Sequence, residues 1–261
     1  MTEVPALVTR GSGATTLVFL HGVGGGKGAW SEQLDWFAAW GYRAVAWDMP
    51  GYGESAMASP YTIANLAESL VRLIDSLGVT RTVVVGHSMG GMVAQEAIGI
   101  APERVVGLVL SGTSPAFGKA EGDWQRDFLA ARLAPLDAGR TMAEVAAKLV
   151  PTMLGEGADP KGVAAALALM SAVPASTYRA ALTALMGFDR REWLARLAVP
   201  TLVLAGERDA NAPPSVMRRM AEKIRGAEYV ELAGLGHLAN MEHPASFNAA
   251  VLAYLAKHFP T

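Results

Sequence analysis

The run RTVVVGH at positions 81–87 holds three valines in a row and shows no polar–apolar alternation. A strand with one wet face alternates with period two, so an unbroken apolar run requires burial on both faces. That burial is provided by a parallel sheet covered on each side by crossover helices. The flanking sequence supplies such helices. Ile63, Leu66, Leu70, Leu73, Ile74 and Leu77 recur at helical spacing before Gly78, and a second helical pattern starts near Met89. Further strands are read at 15–21, 42–48, 104–112, 198–206 and 227–233, and further helices at 31–40, 213–225 and 245–257. Ser31 is the expected N-cap of the first of these helices, and Gly41 stands just past its end. The class is therefore α/β, with a mostly parallel, doubly wound sheet. The alternation breaks once. Between residues 114 and 196 no strand can be read, only helical stretches. The expected organisation is a core of residues 1–113 and 197–261 and a helical lid of residues 114–196, inserted at a strand end where such sheets bind ligands.

Composition narrows the function classes. The chain has 261 residues, 51% of them hydrophobic, enough for a large buried core. The 22 basic and 24 acidic residues leave a net charge of −2, and no basic block stands out. This argues against nucleic acid or an anionic membrane surface as the main partner. There is no cysteine, which excludes disulfides, thiolate metal sites and a cysteine nucleophile. No HExxH motif or cluster of metal-ligating residues is present, so neither a metal nor another cofactor is expected. The stretch MTEVPALVTRGSG lacks the pattern of a signal peptide, and the apolar segment GVAAALALMSAVPA has 14 residues where a membrane span needs about 20. A cytoplasmic protein acting on a small molecule is expected, with both a monomer and a homodimer compatible.

Gly86-His87-Ser88-Met89-Gly90 joins the apolar strand to the following helix in the pattern G-x-S-x-G. A plain glycine-rich turn would also connect the two, but in this context the pattern describes a nucleophile elbow. Its turn is too sharp for large neighbours, so it lifts the serine hydroxyl above the sheet edge, and the helix N-terminus behind it offers free N–H groups to a developing oxyanion. The glycine spacing does not form a dinucleotide fingerprint.

Serine needs a base within hydrogen-bond reach. Of the five histidines, His21 reads as structural at a strand end, and His87 projects away from its neighbour on the sharp turn. His243 reads as a cap or surface residue and His258 as solvated. His237 lies in the loop after the last strand, where a sheet-edge base belongs. The loop VLAGERDANAPP offers Glu207 and Asp209 as the orienting acid, and Asp209 is preferred because it lies further beyond the strand. The glycine-rich FLHGVGGGKGAW at 19–30 supplies a second oxyanion donor, the N–H of Val23 with Gly24 as the alternative, beside that of Met89.

LHGVGG, DMPGYGES, VVGHSMGGMVA, PTLVLAGERD and GHLANMEHPASFNAAVLAYL together resemble the α/β-hydrolase fold superfamily, of the serine esterase and lactonase type. The resemblance covers most of the chain. The last segment and TYRAALTALMGFDRREWL are most similar to the bacterial 3-oxoadipate enol-lactonases. The resemblance implies a triad of Ser88, Asp209 and His237 in that chain order, with Met89 and Val23 as oxyanion hole. It implies hydrolysis of a small carboxylic ester or enol-lactone through an acyl-enzyme, in aromatic-compound catabolism. The same triad order also serves hydrolases that cleave C–C bonds of diketo acids, and a non-catalytic ligand receptor is the rival from another class.

Apolar lid residues (Phe117, Trp124, Phe128, Leu129, Leu133, Met153, Leu154, Met170 and Met186) are candidates for the pocket or for the lid's own core. Gly24, His87 and Leu238 are further pocket candidates. Arg126, Arg132, Arg179, Arg190 and Arg191 could each pair with a substrate carboxylate or stand on the surface, and the sequence selects none of them.

Overall fold

The computed structural model describes residues 3–118 and 123–261. Residues 119–122 of the central helical block lie outside the described residues, as do residues 1–2.

The first half of the chain supplies strands β1 (Leu7–Arg10), β2 (Thr16–Leu20), β3 (Arg43–Trp47), β4 (Thr82–His87) and β5 (Gly107–Ser111). Helices α1 (Ser31–Ala39), α2 (Ile63–Ser76) and α3 (Met89–Ile100) alternate with them. Four α-helices follow with no strand between them: α4 (Trp124–Asp137), α5 (Met142–Leu149), α6 (Pro160–Ala172) and α7 (Ala175–Leu185). The alternation then resumes with β6 (Thr201–Gly206), α8 (Pro214–Lys223), β7 (Glu228–Leu232), the single turn α9 (Ala239–Glu242) and α10 (Pro244–His258).

The seven strands form one sheet in the order β1-β3-β2-β4-β5-β6-β7, parallel except for the antiparallel edge strand β1. Strand β1 is absent from the sequence reading. Its four residues are too few to show a period, and its half-buried edge position demands no apolar run. Every residue of β4 is buried, as the valine run requires. The pleat sends Val84 into the cluster with α2 and α3, and Val83 and Val85 into the opposite cluster with Phe247 and Val251 of α10.

The order β3-β2-β4 contains the reversal that fixes the site. The chain builds from β2 to one side and then from β4 to the other, which opens a crevice at the carboxyl ends of these two strands. Leu20 pairs with Gly86, so β2 and β4 end side by side.

Two local expectations are corrected. Ser31 does not cap α1. The glycine-rich loop enters the helix through a 3-10 turn (Lys27–Trp30), Trp30 takes the N-cap position, and Ser31 Oγ donates to the Gly28 carbonyl at 3.0 Å. His258 is not simply solvated, because its Nε2 lies 2.7 Å from Glu228 Oε1. Gly41 does end α1, with φ of 85°, and His243 caps α10 by accepting the Ser246 N–H. Among the described residues no helix is long and apolar enough to cross a membrane.

Candidate active site

At the end of β4 the chain reverses through Ser88, at φ 54° and ψ −120°. Among the described residues Ser88 is the one non-glycine with positive φ. Such a conformation costs on the order of 1–3 kcal/mol and persists only where the surroundings impose it. They do so here. Ser88 N–H donates to the Ser111 carbonyl at 3.0 Å, and the Ser88 carbonyl accepts from Thr113 Oγ1 at 2.7 Å and from the Gly91 N–H at 2.9 Å. The flanking glycines answer to close approach. A Cβ on Gly86 would lie 2.6 Å from the Gly90 carbonyl oxygen, and one on Gly90 would lie 2.4 Å from that of Leu20. Met89 opens α3, so its N–H has no intrahelical partner.

The neighbouring loop leaves β2 at Leu20 and is pinned from outside. The Met49 N–H donates to His21 Nε2 at 3.0 Å, which places the ring proton on Nδ1, 2.8 Å from the Gly22 carbonyl. Tyr52 Oη donates to the Val23 carbonyl at 2.9 Å and so fixes the peptide beside the expected oxyanion donors. Buried Asp48 accepts from the Lys27 N–H at 2.8 Å and from Lys27 Nζ at 2.5 Å. Asp48 and Tyr52 stand within the motif DMPGYGES, but their structural task could not be read from it.

The loop after β6 carries both candidate acids, and the structure separates them. Asp209 Oδ2 lies 2.7 Å from His237 Nδ1, while its Oδ1 accepts the N–H groups of Asn211 at 2.8 Å and Ala212 at 2.9 Å. Exposed Glu207 instead accepts the Gly234 N–H at 2.6 Å. Burial pushes the Asp209 carboxyl up, but His237 and the two backbone donors outweigh it and hold it below its ordinary value.

His237 is fixed from its backbone too. Its N–H donates to the Met153 carbonyl at 2.7 Å. The N–H groups on either side of it, of Gly236 and Leu238, donate to the Glu242 carboxylate at 2.9 and 2.8 Å. The Gly155 N–H joins them at 2.7 Å, which ties the His237 loop to the central helical block. Glu242 was missed in the sequence. The one available signal was an acidic residue four positions after Leu238, and it becomes informative only once that carboxylate is seen to be buried.

Ser88 and His237 line one cavity of about 370 Å³, and Val23, Gly24 and His87 border it as well. Trp124, Met153 and Leu238 lie on its walls, while Leu129, Leu133, Leu154 and Met186 do not border it. The Met89 side chain is fully buried and does not border the cavity. Of the apolar lid residues, Phe117, Phe128 and Met170 also face the cavity, whereas Leu129, Leu133 and Leu154 pack against the core cluster. Tyr178, Leu182 and Leu185 of α7 are lining residues that the sequence did not single out. Among the described residues no group of three or more His, Asp or Glu is placed to hold a metal ion.

His87 is buried, its ring centroid 4.7 Å from that of His237, and its Nδ1 has no well-aligned hydrogen-bond partner. Burial, with the neighbouring His237 adding to it, lowers its pKa to about 3, against the opposing pull of Asp209. Burial lowers His21 to about 4. Both rings are therefore neutral in the fold. Above pH 6.5 neither the folded nor the unfolded chain protonates them, and they add no pH dependence. Below it the unfolded chain takes up two protons that the folded chain refuses, so stability falls as pH falls towards 4. At about 1.4 kcal/mol per pH unit per histidine, the expected loss between pH 7 and pH 5 is on the order of 4 kcal/mol. Urea unfolding at the two pH values measures it, and His87→Leu should remove about half of the difference. An unchanged urea midpoint would contradict the neutral assignment.

A family model described as alpha/beta hydrolase fold matches residues 15–244. The dihydrolipoyllysine-residue acetyltransferase component of an acetoin cleaving system from Pseudomonas putida is 32% identical over 258 residues. That match takes in 95% of this chain but 65% of the other, so the chain spans less than two thirds of that relative. RutD of Variovorax paradoxus, provisionally named a carbamate hydrolase, is 32% identical over 242 residues, 90% of each chain. Among solved structures, a thermophilic esterase from Thermogutta terrifontis has a TM-score of 0.86 at 27% identity, covering 97% of this chain and 93% of its own. The enol-lactonase from Burkholderia xenovorans also reaches 0.86, covering 96% of each chain, but at 24% identity. That likeness speaks for the fold alone and does not set enol-lactonases apart from the other neighbours.

Proposed function

The chain belongs to the alpha/beta hydrolase fold family, and from that premise we propose that it is a cofactor-independent serine hydrolase of a small carboxylic ester or lactone. One observation carries the reading. Buried Asp209 engages Nδ1 of His237, which leaves Nε2 on the other side of the ring, and His237 shares its cavity with a serine held on a strained strand-to-helix turn.

In this reading His237 Nε2 takes the proton of Ser88 as the hydroxyl attacks the substrate carbonyl. The N–H groups of Met89 and Val23 receive the oxyanion, and losing one such donor costs about 10²–10³ in rate. The tetrahedral intermediate collapses, His237 protonates the leaving oxygen, and an acyl group remains on Ser88. His237 then activates water, which releases the acid and restores the serine. Residues 114–196 serve as the lid, with Phe117, Phe128 and Met170 as its apolar face over the acyl group. A cavity of about 370 Å³ suits a small substrate. An enol-lactone of aromatic catabolism is one such substrate. A carbamate, as the name of the Variovorax relative suggests for that protein, presents the same kind of carbonyl.

The test is to trap the acyl-enzyme. Incubation with p-nitrophenyl trimethylacetate, whose hindered acyl group leaves slowly, should add one acyl mass to the protein. Peptide mapping should place it within residues 82–97, on Ser88. Steady p-nitrophenol release with no adduct, or an adduct elsewhere, would refute the mechanism.

A further inference from the structure

Of the five arginines that the sequence left open, the structure separates one. Arg126 pairs with Asp123 at 2.9 Å and Arg179 with Asp137 at 2.6 Å. Arg190 pairs with Glu96, and Arg191 with Asp189. None of these four borders the cavity that holds Ser88 and His237. Arg132, on α4, does border it, and makes no ion pair with a carboxylate among the described residues.

Arg132 is a half-buried cation with no carboxylate partner among the described residues. Its guanidinium lies 5.0 Å from the centroid of the Phe128 ring, a cation–π contact that fixes the plane of the fork. Its one side-chain hydrogen bond among the described residues is a long one, Nη2 to Asn211 Oδ1 at 3.3 Å. A guanidinium has five N–H donors and is always charged. No Asp, Glu or Lys is among the described residues lining this cavity, so Arg132 is its one permanent charge. A cation bordering a largely apolar space and not yet paired with a carboxylate attracts an anion, and the planar fork matches a carboxylate in two-point contact.

Two neutral groups stand on the same side. Asn211 lines the cavity, and its backbone N–H is bound by Asp209 at 2.8 Å, so it sits on the loop that orients the base. Tyr178 is buried on the cavity wall, and its phenol lies within electrostatic reach of Arg132.

We propose that Arg132, supported by Asn211, forms a carboxylate-binding subsite, so that the substrate is a small ester or lactone bearing a free carboxylate away from the scissile carbonyl. The proposal rests on the reading of Ser88 as nucleophile, since it is the shared cavity that joins the two sites.

The experiment has one arm with turnover and one without. Mono-p-nitrophenyl glutarate and p-nitrophenyl pentanoate present similar acyl chains, one anionic and one neutral. Wild-type enzyme should favour the anion in kcat/KM after subtraction of spontaneous hydrolysis. Arg132→Gln should lower the ratio of anionic to neutral kcat/KM about 10–100-fold, mainly through KM, the range expected for hydrogen bonds to a charged group. Arg132→Met keeps the stem over Phe128 and should lower it likewise if the glutamine variant folds poorly.

The second arm measures glutarate binding to Ser88→Ala by calorimetry, with and without the Arg132 change, and expects a loss of the same order. A preference that survives both Arg132 variants, or glutarate binding that is absent or indifferent to Arg132, overturns the subsite. Failure of wild type on both esters, with Arg132-dependent glutarate binding intact, would instead overturn the hydrolase reading and keep the subsite.

Discussion

Substitution of Ser88 by alanine is expected to lower kcat/KM for a short-chain p-nitrophenyl ester by about 10⁵–10⁶-fold, the scale on which removal of a serine nucleophile stops acyl transfer. The residual rate would come from the oxyanion donors and from binding alone. The change should leave the fold in place. Alanine keeps the Cβ of serine, so the φ of 54° is no harder to hold, and the backbone bonds to Ser111, Thr113 and Gly91 do not involve the lost hydroxyl. The strain argument adds a second measurement. Ser88→Gly removes the Cβ that makes this φ costly, and should melt higher than Ser88→Ala while being equally inactive. Enzyme that keeps more than a hundredth of its activity in Ser88→Ala would have its nucleophile elsewhere. A glycine variant that melts lower than the alanine one would show that the turn is not strained.

How far the sequence discloses this molecule depends on whether a residue's task is local. The valine run of β4 and the glycines around Ser88 are local, because burial on two faces and contact with a crossing backbone both leave a mark on adjacent positions. The sheet and the strand-to-helix turn follow from them. The four-residue edge strand β1 leaves no such mark. Residue type is a local clue and marks Ser31 as a cap, while the 3-10 turn that displaces it arises from the glycine-rich loop folding onto Asp48, 21 residues beyond Lys27. Tyr52 acts through a bond to Val23 and Glu242 through one to Gly155, both far along the chain, and neither residue's own neighbourhood announces those bonds. The arginines make the point most directly. Five were equivalent in sequence, and they differ in whether a carboxylate already occupies them and in whether they border the cavity, both properties of the assembled fold.

The choice between Asp209 and Glu207 shows what geometry adds where the sequence offered two candidates, and Asp209→Asn should have the second large effect. Oδ1 of Asp209 accepts two backbone N–H groups, from Asn211 and Ala212, and Oδ2 meets His237 Nδ1. An asparagine here must keep its carbonyl oxygen on the two N–H donors, since its amide nitrogen cannot accept them. The NH₂ group then faces His237 Nδ1 and obliges it to act as acceptor, which puts the ring proton on Nε2. The imidazole is held in the tautomer that cannot take a proton from Ser88, and kcat at neutral pH should fall about 10⁴-fold. Glu207→Gln has no such consequence. Glu207 receives one N–H, from Gly234, and a glutamine oxygen can receive it equally well, so activity should stay within about fivefold of wild type, the range of a lost charge on a neutral-acceptor bond. Both variants are measured on one ester at one pH, with circular dichroism to confirm folding. A loss of about 10⁴ in Glu207→Gln with a mild Asp209→Asn would assign the orienting acid to Glu207, and the Asp209–His237 contact would then be structural.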